Sequence, residues 1–225
     1  MTVLHPSEAY RRWAPTYDQE NVVTALDCEL VQQLSPSAAG LHLLDVGCGT
    51  GRRLAGTGAT TAVGVEPCEE MLAAGCQAHE FGPEVRFVSG DVRSLPLTDA
   101  SFDLAWLRLV IGHVPECEAA YRELGRVVVP GGRVIVTDFH PAACAAGMRR
   151  TFRDGDEVIE VEHHVHTLDR HVAAAGAAGL RLVAAVDGLI GPSVRGYFER
   201  AGKLPRYVEQ RGMPVVLALS FRRDG

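Results

Sequence analysis

The sequence predicts an α/β fold built on a doubly wound, Rossmann-like sheet, and three observations support that class. Apolar runs of strand length recur at residues 41–46, 60–65, 85–88, 102–107 and 133–137. Segments of helical length lie between most of these runs. Several runs are apolar at consecutive positions, which is typical of parallel strands covered on both faces. Strands and helices that alternate along a chain favour a doubly wound sheet.

The helices between these strands are predicted from their spacing of apolar residues. Two are expected in the core, at residues 69–79 and 116–129. The second is expected to stop at the sequence Pro-Gly-Gly of residues 130–132, because neither residue type continues a helix. A sharp turn into the next strand should follow.

Beyond residue 137 the regular alternation of predicted strands and helices ends. Residues 141–155 are predicted as loop or short helix, 158–165 as an extra strand and 168–178 as an alanine-rich helix that Gly179 ends. Two further apolar runs, 180–186 and 214–221, close the chain. Because the last run is terminal and short-linked, we expect it to enter the sheet antiparallel to its neighbour.

Size and charge limit the classes of function. The 225 residues, 47% hydrophobic and 22% charged, suffice for one domain with its own core. The net charge of −6 and the scattered basic residues argue against binding to nucleic acid or to an anionic membrane. We therefore expect neither partner, and a monomer or homodimer.

The cysteines and the N-terminal residues bear on the cellular compartment. Six cysteines form neither a CxxC pair nor a short alternating framework, so we expect reduced thiols. Pro6 and Glu8 interrupt the region where an export signal needs an apolar run. No run of about 18 apolar residues occurs. A cytoplasmic protein is expected.

A glycine-rich loop follows the first predicted core strand. In residues 45–51, DVGCGTG, three glycines alternate where a buried strand is expected to turn into a helix, so a ligand can approach bare backbone. This favours a nucleotide-type ligand, with a tight turn that binds nothing as the alternative. Arg52 stands where a dinucleotide fingerprint needs a small residue, which disfavours NAD. No lysine follows to make a phosphate loop.

Two further strands end in acidic residues. Glu66 follows the second predicted strand and can accept both hydroxyls of a ribose. Asp91 follows the third, where it can accept an adenine amine while Val92 offers a backbone N–H. Each is equally an ordinary helix cap or surface group. Carboxyl ends of parallel strands share one edge, so we expect these residues to line one crevice.

These motifs together resemble those of class I S-adenosylmethionine-dependent methyltransferases of the type 11, or ubiquinone-biosynthesis-like, group. The resemblance rests on residues 45–51, 65–66, 90–92, 101–106 and 126–132 and covers about residues 10–140. It implies a seven-stranded sheet with a final antiparallel strand. It also implies S-adenosylmethionine as cofactor and methyl transfer as the activity.

The resemblance places the cofactor on the carboxyl edge of the sheet. The methionine end is expected near the glycine loop, the ribose on Glu66 and the adenine beside Asp91 and Val92. Leu107 and Arg108 stand where the family usually has small polar residues, which puts side-chain contacts there in doubt. The expected cofactor-binding residues are Tyr17, Asp45, Gly47, Cys48, Gly49, Gly51, Glu66, Pro67, Met71, Asp91, Val92, Leu107 and Arg108.

One domain is expected over residues 1–225, with a lid and insertions around the core. The expected parts are N-terminal lid helices at 1–34, a cofactor-binding core at 40–140 and substrate-side insertions at 141–179 and 188–213. Residues 10–18 are similar to the family's segment that folds over the cofactor. Tyrosines suit such a lid because they exclude water while a hydroxyl reaches the ligand. Trp13 equally suits a helix stapled to the core.

Histidines are the candidates for a catalytic base, because their ordinary pKa near 6.5 permits a neutral form at cell pH. His113 and His140 follow the fourth and fifth core strands, and His166 lies in the expected insertion. A structural role is the alternative for each. Glu160, Glu162, His163, His164 and His166 also supply metal-type ligands, but exposed alternation of this kind is more typical of a solvated strand, and no metal is predicted.

The function predicted is methyl transfer to a small molecule at oxygen, nitrogen or carbon, by in-line displacement with orientation as the main contribution. A histidine base can assist if the acceptor has an acidic proton. Two alternatives stay open. One is an enzyme that binds the cofactor but catalyses a cyclisation or rearrangement, and the other is a nucleoside-binding module without catalysis.

Overall fold

The computed structural model describes residues 1–225 and contains two β-sheets with helices packed around the larger one. The strands are β1 (Thr2–Leu4), β2 (His42–Val46), β3 (Thr61–Val65), β4 (Val85–Val88), β5 (Phe102–Arg108), β6 (Val128–Phe139), β7 (Thr151–Asp154), β8 (Glu157–Val161), β9 (Leu180–Leu189) and β10 (Pro214–Arg223). The helices are α1 (Pro6–Trp13), α2 (Val22–Leu34), α3 (Glu69–Ala78), α4 (Cys117–Val127), α5 (Pro141–Ala145), α6 (Leu168–Ala177), α7 (Arg195–Arg200) and α8 (Leu204–Gln210).

The larger sheet has seven strands in the order β4-β3-β2-β5-β6-β10-β9. The strands from β2 to β6 pair in parallel, and β10 runs antiparallel to both β6 and β9. The predicted fold class, with its final antiparallel strand, is confirmed. The strand order reverses between β2 and β5, and such a reversal opens a crevice at the carboxyl ends of the strands.

Both faces of this sheet are covered. On one face α4 and α6 pack together, and the fully buried Tyr121 and Leu124 of α4 enter the main core cluster. On the other face, Val31 of α2 packs with Leu43 and Trp106. The helix expected after the glycine loop is absent, because residues 47–60, which connect β2 to β3, form turns instead.

The end of α4 differs from the prediction. The helix ends at Val127 rather than at residue 129, and β6 begins at once with Val128. Phe102 of β5 pairs with Val128, whereas Leu104 pairs with Arg133. The Pro-Gly-Gly sequence therefore bulges out of the ladder inside β6. The chain is already extended at Val128, so the helix ends before the proline and the two glycines rather than at them.

A second, three-stranded sheet was not predicted. Its order is β1-β8-β7, with β1 parallel to β8 and β7 antiparallel to it. The extra strand expected at 158–165 is β8, which ends at Val161, and β7 lies in the segment expected to be loop or short helix. The N-terminal segment is thus tied to the segment after β6.

The domain division stays a prediction, although α6 bears on its boundaries. This helix packs on α4 and β9, so it belongs to the layer that covers the main sheet. All six cysteines are free thiols. None of the helices has the length and apolar character needed to cross a bilayer.

Candidate active site

A cavity of about 440 Å³ lies at the carboxyl ends of the central strands, where the strand order reverses. The glycine loop after β2, the segment after β3 and the segments after β4 and β5 all reach it. Ten of the predicted site residues line it: Tyr17, Gly47, Gly49, Glu66, Pro67, Met71, Asp91, Val92, Arg108 and His113. Asp45 and Cys48 line a smaller cavity of about 30 Å³ that shares Tyr17, Gly47 and Arg108 with it.

The glycine loop requires glycine for two separate reasons. Gly47, Gly49 and Gly51 have φ angles of 67°, 60° and 72°, a region that side chains disfavour. A Cβ at Gly47 would also stand 2.3 Å from a methyl carbon of Val110, and one at Gly49 would stand 3.0 Å from the terminal carbon of Met71. Gly51 does not line the cavity. It lies under Phe87, where a Cβ would come within 2.5 Å of the ring.

Glu66 is buried and already bound to the loop. Its Oε2 accepts the N–H of Gly49 at 2.9 Å, and its Oε1 accepts the N–H of Cys68 at 3.0 Å. Burial raises the pKa of Glu66, against the two N–H donors, which lower it. A carboxylate has about four acceptor positions, so Glu66 can hold the loop and still accept hydroxyl groups from a ligand.

Asp45, at the end of β2 next to the glycine loop, is buried, and burial disfavours the charged form of its carboxyl group. Burial raises its pKa to about 7, although the nearby Arg108 and Arg53 lower it. Its carboxyl therefore changes charge near neutral pH. The arginines and Asp27 lie around the same small cavity, so this end of the site carries charges of both signs.

Asp91 and Val92 occupy the positions expected after β4. The Asp91 carboxylate accepts from the side chain of Arg93 and from its backbone N–H, at 2.8 Å for the latter. The side-chain hydrogen bond from Arg93 lowers the pKa of Asp91. Val92 is buried and lines the cavity.

The segment after β5 meets the cavity one residue later than predicted. Leu107 is fully buried in the core and is absent from the cavity wall, whereas Leu109 and Val110 line it. Leu109 has a φ of 57°, a rare conformation for a leucine, and its N–H donates to the carbonyl of Thr137 at 2.9 Å. Arg108 donates to Asp27 at 2.6 Å. Leu107 was expected to bind the cofactor but does not reach the cavity, whose wall here is formed by Arg108, Leu109 and Val110.

Aromatic residues of the N-terminal segment cover the cavity. Tyr10 stacks on Trp13 at 5.8 Å, and Tyr17 meets the edge of Trp13 at 5.2 Å. Trp13 in turn stacks on Phe152 of β7 at 5.0 Å. Trp13 therefore anchors the segment, while Tyr10 and Tyr17 line the cavity.

His113 lines the cavity and is held in one neutral tautomer. Its Nδ1 lies 3.0 Å from the carbonyl oxygen of Glu162 and must donate to it. Its Nε2 then accepts from the hydroxyl of Tyr10 at 2.8 Å. Burial lowers the pKa of His113 to about 3, and the charge of Arg150 lowers it as well.

His140 and His166 lie outside the cavity wall. The Nδ1 of His140 accepts the N–H of Ala142 at 3.0 Å and caps α5. His5 caps α1 in the same way, and in both places proline follows the histidine. That His-Pro pair is the signal of a helix start in the sequence.

His166 is buried behind the cavity wall. It lies 2.8 Å from the carbonyl of Val114 through Nε2, and its Nδ1 has no partner. Burial lowers its pKa. Neither His166 nor His140 lines the cavity.

The sequence also gave no indication of a buried acid between two histidines. Asp138, at the end of β6, lies 3.4 Å from Nε2 of His163 and 3.4 Å from Nε2 of His171. Burial raises the pKa of Asp138, and the two histidines lower it more, so it falls below its ordinary value. His163 and His171 come from segments far along the chain, and no local pattern pairs them with Asp138.

Comparison with known proteins agrees with this geometry. The profile of the type 11 methyltransferase domain matches residues 44–136, which contain the glycine loop, Glu66, Asp91 and β5. A malonyl-acyl-carrier-protein O-methyltransferase of Dechloromonas aromatica is 33% identical over 164 residues, 73% of this chain and 59% of that protein. The ubiquinone/menaquinone biosynthesis C-methyltransferase of Bdellovibrio bacteriovorus is 33% identical over 142 residues, 58% of this chain and 60% of that protein.

The domain at residues 44–136 belongs to the class I S-adenosylmethionine-dependent methyltransferases of type 11. The predicted family is confirmed, and with it the cofactor that the family uses. The fold agrees with the crystal structure of a methyltransferase from Mesorhizobium loti, at a TM-score of 0.70, 21% identity and coverage of 90% of this chain and 100% of that one. The chain spans about three fifths of the length of the curated relatives it matches.

Proposed function

We propose that this chain transfers the methyl group of S-adenosylmethionine to a small organic acceptor, at oxygen, nitrogen or carbon. The observation that carries the proposal is the 440 Å³ cavity at the strand reversal, walled by the glycine loop and Glu66. Bare glycine backbone, a buried carboxylate and an enclosing pair of tyrosines are the groups a nucleoside with a polar tail requires.

The residues present fit the cofactor. Glu66 would accept the ribose hydroxyls, and Val92 with Asp91 would face the adenine. The mixed charges of Asp45 and Arg108 suit an amino acid that bears an ammonium and a carboxylate. When bound, the cofactor supplies an electrophilic methyl group on a positively charged sulfur.

The protein's own contribution is mainly orientation and the exclusion of water. Tyr10 and Tyr17, fixed by Trp13, cover the cavity. Alignment of two reactants inside such a site can supply roughly 7 to 11 kcal/mol of the barrier reduction. His113 is the one predicted histidine base that lines the cavity, and with a pKa of about 3 it is a weak base. The site therefore favours acceptors that need little help in losing a proton.

The test is transfer of label from methyl-labelled S-adenosylmethionine to a panel of carboxylic acids, phenols and amines. We expect labelled product from at least one class, and about 10-fold or greater loss in Glu66→Ala. Glu69→Ala, on the exposed start of α3, should retain the wild-type rate. Cofactor binding without transfer to any acceptor in the panel or in a cell extract would contradict methyl transfer.

The two alternative activities are not favoured. The curated relatives named above are both methyltransferases, whereas nothing in the cavity points to a cyclisation or a rearrangement. With a net charge of −6, we propose a small-molecule acceptor without a nucleic-acid or membrane partner, for a monomer or homodimer.

A further inference from the structure

Arg150 is a buried cation without an acidic partner. Its residue is only 8% exposed, and no carboxylate oxygen lies within 4.0 Å of its guanidinium. Arg108 shows the usual arrangement for comparison, because its equally buried side chain pairs with Asp27 at 2.6 Å. Arginine stays charged at every physiological pH. An isolated buried charge is costly, so an arginine kept in this state points to a ligand that supplies the opposite charge.

Most of the donors of Arg150 are unused. Its Nη2 donates to the hydroxyl of Tyr10 at 3.0 Å, and its Nη1 reaches the carbonyl of Leu109 at 3.5 Å, the limit of a hydrogen bond. Tyr10 and Leu109 both line the 440 Å³ cavity. The guanidinium therefore lies directly behind the wall of the cavity, with capacity to bind a further oxygen.

No neighbouring acid forms an ion pair with it. Asp138 is the acid whose charge acts on Arg150, but its carboxylate lies between His163 and His171. His113 is neutral and accepts from Tyr10. Glu66 is occupied by two backbone N–H groups at the glycine loop.

Two further acids, Glu162 and Asp27, do not pair with Arg150 either. Glu162 lies at the rim of the cavity with a side chain that is 47% exposed, so solvent screens its charge. Asp27 is paired with Arg108 at 2.6 Å. The guanidinium of Arg150, beside Tyr10 and His113, thus has no carboxylate in contact with it and keeps donors for a ligand.

We propose that Arg150 binds a carboxylate group of the methyl acceptor. The planar fork of arginine matches the two oxygens of a carboxylate, and the buried setting strengthens the attraction. The inference rests on the proposed function, because it assigns the acceptor's chemical class at that same site. A cofactor carboxylate is served by different arginines, since Arg108 and Arg53 line the small cavity beside the glycine loop.

The experiment compares benzoate with the neutral benzamide by calorimetry or NMR titration, on the full chain alone and saturated with S-adenosylhomocysteine. We expect wild type to bind benzoate at least 10-fold more tightly than benzamide. Arg150→Gln should abolish that preference, and Arg150→Lys should keep part of it. Arg149→Gln, at the exposed neighbouring arginine, should leave it unchanged. In all variants, affinity for S-adenosylhomocysteine should stay within about twofold of wild type.

Equal binding of benzoate and benzamide by wild type would overturn the proposal, and this comparison decides even if Arg150→Gln does not fold. A 10-fold loss of S-adenosylhomocysteine affinity in Arg150→Gln would also overturn it, by assigning Arg150 to the cofactor. Failure of wild type to bind S-adenosylhomocysteine would contradict the proposed function instead. The benzoate preference of the chain alone would then still be measured separately.

Discussion

Single residues in this site do two things at once, and Glu66 is the main example. Its carboxylate holds Gly49 and Cys68 in place by accepting their N–H groups, and it lines the space where a ribose would lie. A loss at this position therefore affects both the shape of the loop and the contact with the ligand. Hydrogen bonds to a charged group contribute about 1.5 to 3 kcal/mol each.

Replacing Glu66 by alanine should weaken binding of S-adenosylhomocysteine by about 10- to 100-fold, the equivalent of one such hydrogen bond. Titration calorimetry measures the affinity, and circular dichroism checks that the chain is folded. Glu69→Ala is the matched control, since that glutamate is exposed. An affinity unchanged in Glu66→Ala would remove this residue from the ribose site.

Because the pKa of His113 is lowered in the folded chain, the free energy of unfolding should fall as the pH falls. Its folded pKa of about 3 lies below the ordinary value of 6.5, so the unfolded chain takes up the proton first as pH falls. The stability it contributes is complete above about pH 6.5 and is lost progressively toward pH 3. Asp45 acts in the opposite direction, because its raised pKa of about 7 makes the folded state bind the extra proton.

Comparison of wild type with His113→Asn isolates the histidine, because the contribution of Asp45 is common to both. Asparagine can still donate to the carbonyl of Glu162 but does not titrate. Urea unfolding at pH 7 and at pH 5 gives the change in stability of each protein, and lowering the pH should cost wild type about 2 kcal/mol more than the variant. Equal changes in the two proteins would mean that His113 titrates normally.

At the scale of elements, the glycine loop is constrained by what packs against it. Gly47 has a positive φ and faces Val110, whereas Gly40 has a φ of 77° with open space where its Cβ would be. Comparing substitutions at Gly47 and Gly40 therefore separates the cost of backbone strain from the cost of a steric clash. Both positions penalise a side chain through the backbone, and only Gly47 adds a collision.

Gly47→Ala should therefore destabilise the chain by about 2 to 4 kcal/mol, and Gly40→Ala by about 1 kcal/mol. Urea denaturation gives both values. If the two substitutions cost the same, Val110 must move aside freely, and the close packing of the segment after β5 on the loop would be wrong.

The elements show which features a sequence can predict. The core strands, α3 and the antiparallel last strand follow from local runs of apolar residues and from the family's motifs. The small sheet does not, because β1 is only Thr2–Leu4 and its partner β8 lies about 155 residues later. A three-residue strand has no pattern of its own, and its existence depends on a distant pairing.

Some residues of the site could likewise be predicted from the sequence, and others could not. Residues on the loop and at strand ends could be placed from sequence, because the topology alone brings them to one edge. Leu109 was missed because the chain leaves β5 through a strained residue, which shifts the contacts from Leu107. The roles of His140 and Arg150 depend on tertiary contacts, with α5 in one case and with Tyr10 in the other.

At the scale of the whole molecule, seven strands, a strand reversal and an aromatic cover have one shared result, which is an enclosed cavity of about 440 Å³. The N-terminal segment reaches this cavity only because β1 and Trp13 are fixed to β8 and β7. Ligand binding should therefore stabilise the entire chain. Saturation at about 100 times the dissociation constant adds about 2.7 kcal/mol to the free energy of unfolding.

The most direct measurement is titration of the wild-type chain with S-adenosylhomocysteine, by calorimetry and by thermal unfolding, with NAD in a parallel titration. We predict one site per chain, a rise in Tm of about 5 to 10 °C near saturation, and no response to NAD. Absence of heat and an unchanged Tm with S-adenosylhomocysteine, or binding of NAD in its place, would contradict the assignment of this cavity.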